Sequence, residues 1–175
     1  MEHRRRLYLL TLFLIAFPVQ ARVYMTLPQA LAGAFPAGAK VTRQTYFLTQ
    51  QQLDDARRES GVPFTGQMII RYMGVAGDKV LGYAYFDTHL VRTLPETVLI
   101  IVTPSGTIDR IDILSFDEPT EYFPKRRWID QMLGRKLDSE LSLNRAIRPL
   151  SGASLTAQAI VNASRKVLAL HHVIK

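Results

Sequence analysis

Apolar positions along this chain fall into three patterns. Residues 7–17 form an almost unbroken apolar run, residues 68–116 carry short β-branched and aromatic runs, and the C-terminal segment repeats apolar positions at helical spacing. The middle region predicts strands over 68–73, 80–86, 97–102 and 108–116. The third of these is continuously apolar, as expected of a strand buried on both faces. Pro104-Ser105-Gly106 separates it from the fourth, where Asp109 and Asp112 sit among isoleucines, so the two predict a hairpin.

Helical signals flank that region. Leu27-Pro28-Gln29-Ala30-Leu31-Ala32 predicts a short helix with Pro28 in its first turn, broken by Pro36 and Gly38. Residues 40–48 predict a strand, and Thr49 then caps a helix over 50–59 that Gly61 and Pro63 end. A further helix is predicted over 126–133, before Gly134. The closing helix, about 155–170, places Ile160, Ala163, Val167 and Leu170 on one stripe and Gln158, Asn162, Arg165 and Lys166 on another. Segregated helices around a strand-rich centre predict an α+β fold, a single domain with a mainly antiparallel sheet flanked by helices. No repeat or linker divides residues 22–175.

Composition narrows the function classes. At 175 residues, 47% hydrophobic and 21% charged, the chain is long enough for one sizeable core. The absence of cysteine excludes disulfides, thiolate metal sites, iron–sulfur ligation and a lipidated cysteine anchor. Arg4, Arg5 and Arg6 precede the first apolar run, and Val19 and Ala21 provide small residues at −3 and −1, so residues 1–21 predict a cleaved export signal. A retained N-terminal anchor is the alternative, although the run is shorter than the roughly 20 residues of a membrane span. The formal charge is +7, and the body beyond residue 21 is still basic, which favours anionic ligands or partners. Nucleic acid is not expected: no recognition motif accompanies the charge.

The candidate chemistry lies at the start of the closing helix, in Ser151-Gly152-Ala153-Ser154-Leu155-Thr156. Small residues permit close backbone approach, and a helix start presents unpaired N–H groups and the positive end of its dipole to an anion such as phosphate. Read without that ligand, the same residues are an ordinary helix cap, since Ser is a favoured one. The segment resembles the Ser/Thr-Gly-Ala-Thr/Ser-x-Thr signature of the FMN-binding domain family. That family includes flavin-carrying subunits of the sodium-pumping NADH:quinone reductase and of the Rnf electron-transport complex. Upstream, Pro104-Ser105-Gly106-Thr107-Ile108, Ile111-Asp112-Ile113-Leu114 and Asp117-Glu118-Pro119-Thr120 are similar to the family's Gly-x-Ile strand and the His-x-Glu-Thr segment after it. The resemblance spans residues 66–170.

It implies an FMN-binding-domain-like fold and an exported electron-transfer protein, periplasmic or on the outer face of the cytoplasmic membrane. FMN would be joined by a phosphoester to Ser154. Ser151, Gly152, Ala153 and Thr156 would shape the phosphate pocket, and Glu118 and Thr120 would contact the isoalloxazine. The implied partners are an FAD-dependent flavin transferase and membrane or extracytoplasmic redox proteins. The alternatives are a noncovalent FMN-dependent reductase and a flavin-free scaffold of a membrane redox assembly. The chain departs from the family pattern at three places. Arg148 stands where an acidic residue usually precedes the motif, Phe116 stands where His is common, and Pro119 separates Glu118 from Thr120.

Other clusters have plainer readings. Asp117, Glu118 and Glu121 could supply catalytic carboxylates, but adjacent residues at a strand end face opposite ways and predict a solvated turn. Asp87-Thr88-His89 follows the predicted 80–86 strand as a flavin contact or a polar strand exit. His171 and His172 are adjacent rather than i and i+4, which disfavours a metal pair and predicts a terminal polar cap. Lys125-Arg126-Arg127 predicts a solvated helix start beside Trp128. Asn162-Ala163-Ser164 matches a glycosylation acceptor in letters alone, since it falls mid-helix.

Overall fold

The computed structural model describes residues 22–174. The predicted export signal, 1–21, lies outside the described residues. The core of the fold is a six-stranded, wholly antiparallel sheet in the order β1-β6-β5-β4-β3-β2. Strands β2 (Lys40–Phe47), β3 (Met68–Ala76), β4 (Lys79–Leu90), β5 (Pro95–Val102) and β6 (Ile108–Phe116) follow one another as a meander. The short β1 (Arg22–Val23) closes the far edge against β6. The α+β expectation holds. The β5–β6 hairpin also holds, turning at Gly106 with φ +85° and a Gly106 N–H bond to the Thr103 carbonyl.

Helix α2 (Gln50–Ser60) starts as its sequence predicts, with a reciprocal Thr49–Gln52 capping box, and ends at Gly61 in the left-handed conformation. It packs beside α4 (Ser154–Val173) on one sheet face. There Leu53, Ala56, Val98, Ile100, Ile111, Ile160, Val161 and Val167 form the main core. The other face carries a smaller core of Ala30, Ala34, Leu99, Ile101 and Leu114 under α1 (Leu27–Ala32). Phe35 anchors that layer. Its ring lies on the cross-strand pair Gly74 and Gly82, where a Cβ on Gly74 would fall 2.5 Å from the ring.

Three of the boundary shifts bear on the candidate chemistry. The helix expected over 126–133 is a single turn, α3 (Arg126–Ile129), followed by a 3-10 turn. The cause is tertiary: Gly134 donates to the Ile108 carbonyl and Ile108 to that of Arg135, which pulls the chain off the helical path. The strand expected to end at Phe86 runs on to Leu90, so Asp87-Thr88-His89 lies within β4, paired with β5. Helix α4 runs beyond Leu170 through His171 and His172. His171 is buried and hydrogen-bonded to the Tyr85 hydroxyl at 2.8 Å, so it is a core residue and not a terminal cap. His172 faces outward to Glu59. Among the described residues no helix is long and apolar enough to cross a membrane.

Candidate functional site

The motif before α4 is held from upstream. Trp128 Nε1 donates to the Arg148 carbonyl at 2.8 Å, and the Arg148 amide donates to Gln131 Oε1 at 2.9 Å. The chain then reverses through Leu150–Ala153, closed by an Ala153 N–H bond to the Leu150 carbonyl, with Gly152 at φ +78°. A turn with a left-handed third residue favours glycine there. A Cβ on Gly152 would meet nothing within 4 Å, so backbone conformation and not close approach explains this glycine.

Ala153 is the N-cap of α4 and has no side-chain oxygen to accept from the first-turn amides. Neither Ser151 nor Ser154 takes that role. Ser154 is the first residue of the helix and is exposed, as are Ser151 and Gly152, while Ala153 and Thr156 are buried. The motif therefore divides. Its outer side offers hydroxyls and an uncapped, positively polarised helix start, and its inner side packs on the core.

Glu118 and Thr120 are placed differently from each other. Glu118 is buried, and its Oε1 accepts from the Arg92, Thr93 and Leu94 amides at 3.1, 2.9 and 3.1 Å. Burial alone would raise its pKa. The amides of Thr93, Leu94 and Arg92, with the Arg92 charge, more than reverse that and hold the carboxyl below its usual range. Glu118 thus ties down the β4–β5 loop. Thr120 is exposed and opens a single 3-10 turn.

The densest polar constellation lies between β4, β5 and α4. His89 and Glu96 are cross-strand partners, with Nε2 3.1 Å from Glu96 Oε2, while His89 Nδ1 is 3.0 Å from Asp87 Oδ1. Lys166 on α4 pairs with Asp87 Oδ2. Asp87 and Glu96 are 4% and 0% exposed, so these charges are held in the interior. Burial works against protonation of His89, but hydrogen bonds to Asp87 and Glu96 override it and raise its pKa to about 9. Burial likewise raises Asp87, yet His89 and Lys166 bring it below the usual range. Glu96 stays above its usual range, because burial and the Asp87 charge exceed the pull of His89. A protonated ring, which the raised pKa favours, donates through Nδ1 to Asp87 and through Nε2 to Glu96.

Two recesses flank this cluster and share Phe64, Asp87 and Lys166. The smaller, about 160 Å³, is also lined by His89, Leu90, Ala159 and Asn162. The larger, about 340 Å³, reaches between β3 and β4. Along α4, Leu155, Ala159, Asn162 and Lys166 share one stripe at i, i+4, i+7 and i+11, so it runs from the motif's first turn to both recesses. Ala159 is about 7.5 Å of helical rise from Ser154 and Lys166 about 18 Å. Arg165, predicted on the polar face, donates to the Ser60, Asp138 and Leu141 carbonyls and clamps α2 and the 138–141 loop onto α4. Among the described residues no group of His, Asp and Glu could hold a metal ion.

No protein-family model, curated protein or solved structure matches this chain.

Proposed function

We propose that the chain is an exported FMN-carrying electron-transfer protein whose flavin is esterified to Ser154. The observation that carries this is the exposed Ser154 hydroxyl at the head of a 20-residue helix whose N-cap lacks a side-chain acceptor. An esterified phosphate keeps one negative charge, and that charge meets free first-turn amides and the helix dipole, a stabilisation of about 0.3–1 kcal/mol at an exposed site. Ser151 and Gly152 lie exposed beside it, whereas Thr156 is buried. The motif resemblance and the export pattern of residues 1–21 supply the rest of the reading. Bound FMN supplies the redox chemistry, while the basic body favours acidic redox partners, an attraction that weakens with salt.

Installation from FAD by an extracytoplasmic transferase balances simply. The Ser154 oxygen forms a bond to the FMN phosphorus, the FAD pyrophosphate bond breaks, AMP leaves, and the serine proton goes to solvent. Co-expression with such a transferase, followed by mass analysis of the exported protein, tests the assignment. The expected product begins at Arg22, carries the mass of FMN less water, and stays fluorescent after denaturation. Ser154→Ala should be colourless under denaturing conditions. A wild-type protein without the adduct overturns the ester, and flavin released on unfolding replaces it with a noncovalent cofactor.

A further inference from the structure

The β3–β4 ladder stops early. The two strands pair from Ala76–Lys79 to Tyr72–Ala84, yet β3 continues back to Met68 and β4 on to Leu90. Residues 68–71 keep their partners on β2, and 85–90 keep theirs on β5, so the sheet is split between β3 and β4. The larger recess occupies this split. Its lining includes residues from both faces of the sheet, such as Tyr72 and Phe86 from one and Tyr85 and Lys166 from the other. Well-packed interiors rarely leave such space, and about 340 Å³ falls in the range of small-molecule sites, about 300–1,000 Å³.

We propose that this split receives the pyrimidine edge of an isoalloxazine ring, with Asp87 and Lys166 as its polar contacts; the identity of the ligand rests on the flavin reading above. A slot bounded by two strands favours a flat group entering edge-on. That edge of a flavin presents one N–H between two carbonyls. Among the described residues Lys166 gives one of its three N–H donors to Asp87, leaving two for a carbonyl, while the Asp87 carboxylate, with about four acceptor positions, is engaged by His89 and Lys166. Phe64, with its ring 5.9 Å from Lys166 Nζ, adds an apolar surface beside the polar pair. His89 and Glu96 act as positioning residues, since they hold Asp87 in its rotamer.

Riboflavin titrated into the full chain carrying Ser154→Ala tests the slot without tether or phosphate, read by flavin fluorescence. Riboflavin should bind. Lys166→Met should weaken it at least about tenfold, and Lys166→Arg should restore it to within about threefold, as expected for one hydrogen bond to a charged group. Phe64→Leu, outside the ion pair and conservative toward the core that Phe64 packs against, should weaken binding by removing the flat aromatic surface, with an unfolding midpoint closer to wild type than that of Lys166→Met. Adenosine, whose base lacks an N–H between carbonyls, should not compete. Undiminished binding to Lys166→Met, no binding at all, or equal competition by adenosine overturns the proposal. The two readings fail separately. An ester on the wild-type chain with Lys166-independent riboflavin binding removes only the slot, and Lys166-dependent binding without an ester removes only the tether.

Discussion

His89 bonds Glu96 directly across the β4–β5 ladder and Asp87 two residues back on its own strand, so one ring bridges two buried acidic side chains. Lys166 completes the set from α4 and ties the helix to the sheet. Such a set is costly to bury and costlier to break, since removing one member leaves an uncompensated interior charge.

The pH dependence of stability follows. The folded-state pKa of His89 is raised, so its contribution is complete below the free value of 6.5 and is lost as pH rises through about 9. That interval corresponds to about 3 kcal/mol as an upper bound. Chemical denaturation between pH 6 and 10 should therefore show falling stability, and His89→Gln should flatten the fall while lowering stability at pH 6. Equal slopes for the two proteins would refute the assignment.

Glu118 makes an opposite prediction on the acid side. Its carboxyl is held low, so its contribution is present above 4.5 and is lost as pH falls through its lower folded value. Glu118→Ala removes the acceptor shared by the Arg92, Thr93 and Leu94 amides and should cost about 1–3 kcal/mol. Amide hydrogen exchange at residues 92–94 should accelerate while that of the β5 core stays slow. Unchanged exchange at those amides would show that Glu118 does not hold the loop.

Gly74 and Gly152 are needed for different reasons, and substitution separates them. Gly74→Ala drives a Cβ into the Phe35 ring and should cost about 1–3 kcal/mol. Phe35→Leu should recover part of that, giving a non-additive double-mutant cycle. Gly152→Ala meets no neighbour but must hold φ +78°, a cost of about 1–2 kcal/mol that no second-site deletion relieves. Additivity at the first pair, or no loss at the second, would contradict these accounts.

Local signals made much of this fold legible. The Thr49 cap, the apolar run now in β5, the Pro104-Ser105-Gly106 turn and the α4 stripe each write their structure within a few residues. What stayed hidden depends on distant partners. Asp87-Thr88-His89 reads as a flavin contact or a polar strand exit, because nothing nearby announces that Glu96 and Lys166 will meet it inside the protein. Residues 126–133 have helical composition, yet two backbone bonds between Ile108 and the 134–135 segment outweigh it. Likewise, the Arg92, Thr93 and Leu94 amides that Glu118 gathers lie far upstream of it, so its loop-holding contact is not visible in its own segment. The motif at Ser154 was visible as letters. Its uncapped helix start and the recesses beside Lys166 arise only in the folded arrangement.

Arg148 offers a test of the proposed esterification. The fold uses its backbone, through the Arg148 amide to Gln131 and its carbonyl to Trp128, while the residue is exposed. Arg148→Asp should therefore leave stability within about 0.5 kcal/mol, as for surface substitutions elsewhere. If the transferase recognises an acidic residue three positions before Ser151, as the resemblance implies, the variant should carry a larger flavin-modified fraction than wild type at equal transferase. Arg148→Gln should fall between them if removing the positive charge is part of the gain, and should match wild type if the carboxylate is read directly. An unchanged modified fraction for Arg148→Asp, with Ser154→Ala still unmodified, would show that access to the exposed hydroxyl and the open Gly152 turn, and not the upstream charge, governs transfer.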